Sequence, residues 1–431
     1  MGVGEQKTHG DVVAFYSLTA FAALMYALPQ AWIAGLESLR LALITSGLAA
    51  GLMVVRRVWC AEPIHFDGVR GLCLLAFCGL SFASLAWTVN SEETQTTAMD
   101  LLKLAAIYLT LVNVVTTTRR LAVMCGAMVL ASLATSYGVI QMHFTGTPEE
   151  LVEGYRAGWI EVYADPNRAA MNLGLIIPLA VAFVARKESS WLWRAACVTA
   201  VAMAVVAIVF TYSRGGFLGL AVAMTVWALR EQKKLRSVML GSVLAMGLAI
   251  FAPKSFWERN ETVTSFHEDA SAMGRVYAWQ VASRMSLDRP LLGVGAGAFR
   301  FAWPLYAPPE ARRAYVAHNI FLDVVGELGW VGLIFFLTFV SSATAGAFAA
   351  SKSRDVGWLA RALAASLAGY LVCNLFSGYI LSAHLHVYFG LAACAWRIAQ
   401  RQEATEPVPS RAPRAQGFGL AQLGGGPNHA A

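Results

Sequence analysis

Run after run of about twenty apolar residues, joined by short charged links, leaves this chain few ways to fold. Such a run crosses the hydrocarbon of a bilayer as a helix. Without water, only a helix or a closed barrel satisfies every backbone N–H and C=O. Charged residues make up 14% of the chain and apolar ones 57%, whereas a soluble chain carries about 25% charged. The pattern predicts an all-α polytopic membrane protein with about twelve transmembrane helices. They are expected near 13–29, 31–54, 71–89, 101–117, 121–142, 168–185, 195–211, 216–229, 237–252, 319–340, 358–376 and 378–396.

Lysine and arginine orient these spans. One set of links carries Arg56, Arg57 and Arg70, then Arg119 and Arg120, then Arg186, Lys187 and Arg194, then Arg230, Lys233, Lys234 and Arg236, then Lys352, Arg354 and Arg361. The opposite set is nearly bare, and Asn90 to Asp100 holds acids and no base. The positive-inside rule makes the first set cytoplasmic, with both termini beside it. No cleavable signal peptide is evident, so the first apolar run is expected to stay. The net charge of +7 is then topology rather than a nucleic-acid footprint. Membrane lipids are the surroundings, and nucleic acid is not an expected partner. The seven cysteines fall in spans or cytoplasmic links, without metal-binding spacing and with no sign of disulfides.

Residues 1–400 read as a single membrane domain, interrupted by a long outer loop at about 253–318 that contains short helices. Within it, Gly274 to Leu287 reads as an amphipathic helix with Val276, Trp279, Val281 and Met285 on one side, stopped by Asp288-Arg289-Pro290. Gly293-Val294-Gly295-Ala296-Gly297 follows as a turn; with no following lysine it is not a phosphate cradle. The Ala-, Pro- and Gly-rich segment 401–431 is expected to be a disordered cytoplasmic tail. No internal repeat is evident, which disfavours transporters built on duplicated halves.

Four clusters are expected on the outer face: Arg156 and Arg168, Ser213-Arg214 at a hairpin tip, Gly274-Arg275, and Ala317-His318-Asn319. This set suits chemistry on a lipid-linked pyrophosphate. Guanidiniums grip phosphate oxygens in pairs, and their grip tightens as a leaving group gains charge. An imidazole with an ordinary pKa of about 6.5 takes a proton at neutral pH. Plainer roles exist for each residue. Arg214 could snorkel to lipid phosphates. Arg275 could pair with Glu268 or Asp269, and His318 could serve only to start a helix. Arg156, Arg168 and Arg300 have structural roles as their plainer reading. Arg40 falls inside the second expected span, where it would snorkel or pair with Glu37. His384 and His386 are two residues apart and face different sides of a helix, which argues against a shared metal. Glu327 reads as buried or pore-lining. No acid pair adjoins the arginine–histidine set, so neither a metal nor a cofactor is expected.

Thr211-Tyr212-Ser213-Arg214-Gly215-Gly216, then Gly274-Arg275 with Trp279, then Pro290-Leu291-Leu292-Gly293-Val294-Gly295, then Ala317-His318-Asn319 with Glu327, Gly329 and Gly332, resemble the O-antigen ligase and polymerase superfamily of bacterial inner membranes. The motifs are individually short, but their order and spacing agree between Asn167 and Gly332. The resemblance, closest to the ligase branch, implies a GT-C-type glycosyltransferase. It would take a glycan from undecaprenyl pyrophosphate to the lipid A-core of lipopolysaccharide on the periplasmic side, inverting and metal-independent. By that match His318 becomes the base, and Arg214 and Arg275 become pyrophosphate clamps. Arg156 and Arg168 match no family motif and enter as further cations. With Ser213, Asn319 and Arg300 they complete the expected substrate contacts. A polysaccharide polymerase, a protein O-oligosaccharyltransferase and a lipid or glycan transporter are the alternatives.

Overall fold

The structure, a computed structural model, describes residues 3–231, 270–311 and 313–405. The expected ninth span, the first part of the long loop with Glu268 and Asp269, Arg312 and the tail beyond 405 lie outside the described residues. Among the described residues the chain is helical, and the one β-type contact is an isolated pairing of Val152 with Arg156. The helices are α1 (Val3–Ala27), α2 (Leu41–Trp59), α3 (Gly68–Ala83), α4 (Ser91–Val114), α5 (Thr118–Thr145), α6 (Pro166–Ala185) and α7 (Trp191–Phe210). They continue as α8 (Arg214–Arg230), α9 (Ala270–Asp288), α10 (Phe299–Tyr306), α11 (Ile320–Ala350), α12 (Gly357–Ser377) and α13 (Ala383–Thr405). Among the described residues, 8 helices are long and apolar enough to cross a membrane. α2 shows why a bilayer is needed: Leu43, Ile44, Leu48, Val55, Val58 and Trp59 all point outward.

Two span boundaries differ from expectation. Residues 31–40 are not part of a long helix: Pro29–Ala31 and Leu36–Leu39 form short 3-10 turns, and α2 opens only at Leu41. Pro29 fixes one φ, and Gly35 takes φ 88°, which breaks the run. Arg40 therefore does not lie within a continuous helix. It is exposed at the N-cap of α2 with φ 43°. The last helix begins at Ala383, after a link at 378–382, and continues through Thr405.

The basic links meet at one end of the bundle. Asp11 receives Arg56 at 3.5 Å and Arg120 at 2.6 Å, Glu62 receives Arg57 at 3.1 Å, and Ser353 donates to Gln402 at 3.0 Å. The motif-bearing links lie at the other end. Helix burial is densest between them, where α6, α8 and α12 pack together and α13 packs between α4 and α11.

α11 is broken at Gly329 (φ 66°, ψ −169°). The break frees backbone groups, and the Pro290–Gly295 strip satisfies them. Val294 and Gly295 N–H groups donate to the Gly326 and Glu327 carbonyls at 3.1 and 2.8 Å, and Trp330 N–H donates to the Pro290 carbonyl at 2.8 Å. The buried Glu327 carboxylate accepts from the Gly297 and Phe299 N–H groups at 2.8 and 3.3 Å. Glu327 thus staples the glycine turn to the kinked helix. A Cβ on Gly329 would stand 2.3 Å from the Leu291 carbonyl carbon. Gly329→Ala is expected to destabilise by about 1–3 kcal/mol from backbone strain alone, with the clash added, and thermal unfolding in detergent reads the loss.

The same staple steadies the long loop. α9 and α10 share a small core of Ala278, Val281, Ala282, Met285, Phe299 and Trp303. The buried face of α9 is therefore Gly274-Ala278-Val281-Ala282-Met285, and Val276 and Trp279 lie at its margins. Sterically light alanines bring α9 close to α10, which the apolar pattern of bulky residues did not reveal.

Candidate active site

α7 ends at Phe210, and the chain reverses through Tyr212, which takes a left-handed φ of 49°. Ser213 then caps α8. Its hydroxyl accepts from Gly216 N–H at 3.2 Å and donates to Asn167 Oδ1 at 2.9 Å. Gly216 is needed because a Cβ there would lie 2.4 Å from Ala170 Cβ, so α8 and α6 touch backbone to side chain. Arg214 is the first residue of α8. Arg156 is buried behind this tip and braces it. Its Nε donates to the Thr211 carbonyl at 3.0 Å, Nη1 to Glu153 at 3.3 Å and Nη2 to Asn167 Oδ1 at 2.7 Å.

A second reversal presents His318. Trp279 Nε1 donates to the Ala317 carbonyl at 3.0 Å, which pins the turn to α9. His318 has φ 50°, and Asn319 caps α11 by accepting from Phe321 and Leu322 N–H groups at 3.0 and 3.2 Å. Arg275 lies one turn before Trp279, on the same side of α9. Gly274 beside it lets the Tyr315 ring approach to where a Cβ would be at 2.5 Å. Arg214 thus follows an N-cap two residues after the left-handed Tyr212, and His318 is itself left-handed and precedes an N-cap; bulky residues with positive φ are held only where the surroundings dictate them. Trp279→Phe keeps the ring and loses the donor. We expect activity to fall about tenfold, on the scale of one net hydrogen bond, with kcat falling more than KM rises in a purified assay.

The N-terminus of α6 joins the two reversals. Asp165 caps it through the Asn167 and Arg168 N–H groups at 2.7 and 3.3 Å, with Pro166 in the first helical position. Arg168 lies over the Tyr379 ring at 4.4 Å. The neighbouring Gly378 abuts the start of α11, where a Cβ would stand 2.4 Å from Ile320 N. Burial lowers the His318 pKa first, and the Arg275 and Arg168 charges lower it further against the opposing pull of Asp165. His318, Arg275, Arg168 and Asp165 are therefore neighbours. Arg214 joins them through Ser213 and Asn167. Ser213 and Asn319 use their polar side-chain atoms as helix caps. Arg300 stands apart: it is exposed on α10, whose buried residues are Phe299, Ala302 and Trp303, and it is not among the charges that act on His318.

Three residues escaped sequence reasoning. Asn167 is the hub between Arg156 and Ser213. A position beside a helix start does not announce this second use of its amide. Asp165 and Tyr379 become visible only once α6 and the 378–382 link are brought together. Beyond Tyr379 a cavity of about 1010 Å³ lies between Phe21, Leu28 and Leu41 on one side and Trp159 and Glu161 on the other. Among the described residues no group of three or more His, Cys, Asp or Glu could hold a metal ion. His384 and His386 have separate partners, Tyr163 at 2.9 Å and the Ser382 carbonyl at 3.0 Å.

These features define a multi-pass helical membrane protein with guanidiniums and an imidazole gathered at the end opposite its basic links. Residues 198–337 match the family described as O-antigen ligase. That segment carries Arg214, Arg275 and His318, and the match supports a ligase- or polymerase-type function in polysaccharide biosynthesis. No curated protein matches the chain.

Proposed function

We propose that the protein is an O-antigen ligase that moves a glycan from undecaprenyl pyrophosphate to a sugar hydroxyl of lipid A-core on the periplasmic face of the inner membrane. The observation that carries this reading is the His318 imidazole, its pKa lowered, beside Arg275 and Arg168. Depressed basicity keeps the ring neutral and ready to accept a proton. Arg214 and Arg275 hold the donor pyrophosphate, with Arg168 as a further cation. α6, α8 and α11 all begin at this site, and the positive ends of their dipoles favour the same anion. Arg156, Ser213 and Asn319 act by holding these turns in place rather than by touching the donor.

The reaction is a single displacement. The acceptor hydroxyl gives its proton to His318, and its oxygen bonds to the anomeric carbon. The bond from that carbon to the pyrophosphate oxygen breaks, and undecaprenyl pyrophosphate leaves with the electron pair. Attack from the opposite side inverts the configuration. Guanidiniums supply the countercharge as the leaving group develops. The 1010 Å³ cavity borders Tyr379 and gives a lipid-anchored substrate a route toward the cations.

Purified protein with lipid-linked donor and rough lipopolysaccharide tests this reading. A covalent glycan–lipid A-core product supports it. Lengthened donor chains would make the protein a polymerase with the same site, and movement across vesicles without transfer would make it a transporter. The notable cations gather at an end of the bundle and not at its midplane, which counts against transport. The pH dependence follows from His318. With its pKa below the ordinary 6.5, kcat/KM should reach half its plateau only at a pH below 6.5, as the ring protonates. Arg275→Gln removes a charge that lowers this pKa, so its acid limb should move to higher pH in the same assay.

A further inference from the structure

A second cavity, of about 480 Å³, lies at the basic end between the start of α3 and the end of α13, lined by His65, Asp67, Arg70, Arg397, Gln400 and Arg401. Three guanidiniums there face one carboxylate. Asp67 is already engaged: Arg70 donates to it twice, at 2.8 and 3.0 Å, and the Tyr108 hydroxyl donates at 2.5 Å. Arg397 is fixed in place by an Nη1 hydrogen bond to the Val112 carbonyl. The His65 pKa is lowered by burial first and then by Arg397, with Arg401 and Arg57 adding to the effect against Asp67, which reports a positive field in the cavity. A guanidinium fork matches two oxygens of a phosphate. Beside the cavity, Phe66, Val69 and Leu72 are exposed and apolar, a surface suited to acyl chains.

We propose that this cavity binds the phosphate of an anionic membrane phospholipid, apart from the transfer site. Basic pockets between helices at a cytoplasmic membrane surface recognise such headgroups, and the apolar strip at the start of α3 favours a lipid over a soluble phosphate. The test uses the full chain in nanodiscs and measures retained phosphatidylglycerol by native mass spectrometry, against phosphatidylcholine and inorganic phosphate. Arg401 is exposed, and its variants should unfold within a few degrees of the wild type. Apparent affinity for phosphatidylglycerol should fall about fivefold in Arg401→Gln and about twenty-five-fold in Arg401→Glu. Arg354→Gln, at the same end in a separate cavity with Arg186 and Arg361, should retain wild-type binding. Equal retention by wild type and Arg401→Glu would overturn the proposal, as would an equal loss in Arg354→Gln. Displacement of the lipid by millimolar inorganic phosphate would assign the cavity to a soluble anion instead.

Discussion

His318→Asn is expected to lower glycan transfer by about 10²–10⁴-fold, the range of a lost general base, while the protein still inserts and unfolds at the wild-type temperature. Asparagine is the informative replacement. Position 318 has φ 50°, and asparagine tolerates the left-handed region better than other non-glycine residues. The turn held by Trp279 and capped by Asn319 should therefore survive, and only the proton acceptor is lost. His318→Ala should lose as much transfer but with added backbone strain. Donor binding should be nearly unchanged in either variant, because the guanidiniums remain. Transfer at the wild-type rate by His318→Asn would remove the imidazole from the chemistry.

Arg275→Gln and Arg214→Gln are each expected to reduce kcat/KM by about 10²–10³-fold, the usual loss for one group that stabilises developing charge. Lysine at either position should restore only part of the activity, since an ammonium is a point charge without the planar fork. Both variants should bind donor more weakly as well, which separates them from His318→Asn. Arg156→Gln should behave differently. It removes hydrogen bonds to the Thr211 carbonyl and to Asn167, so its first effect is lower thermal stability, with activity falling because the Arg214 tip loosens.

The sequence made the helical, membrane-spanning class legible, because apolar length and arginine placement are local properties. The turns at Ser213-Arg214 and at His318-Asn319 were legible too, the first as a hairpin tip and the second as a helix start. Other features required the fold. Arg156 and Arg168 looked equivalent as cations near one loop. Packing buries the first behind the α8 tip and leaves the second over Tyr379 beside His318. Arg300 shares the long loop with Arg275, and packing leaves it exposed on α10. The second span began too early because the hydrophobic character of residues 31–40 hid the breaks at Pro29 and Gly35. Glu327 reads as buried or pore-lining and Gly329 as part of a short motif, and their pairing with the glycine turn depends on contacts across about thirty residues, which no local pattern encodes.

The central claim is that Arg214 and Arg275 form a diphosphate pocket from which His318 takes only a proton. Direct binding of undecaprenyl pyrophosphate to the purified protein in nanodiscs, compared across wild type, Arg214→Gln, Arg275→Gln and His318→Asn, tests it most closely. Each arginine variant should bind at least about tenfold more weakly, the loss of one charge-assisted hydrogen bond, and His318→Asn should bind like wild type. Equal affinity in all four proteins would contradict the account.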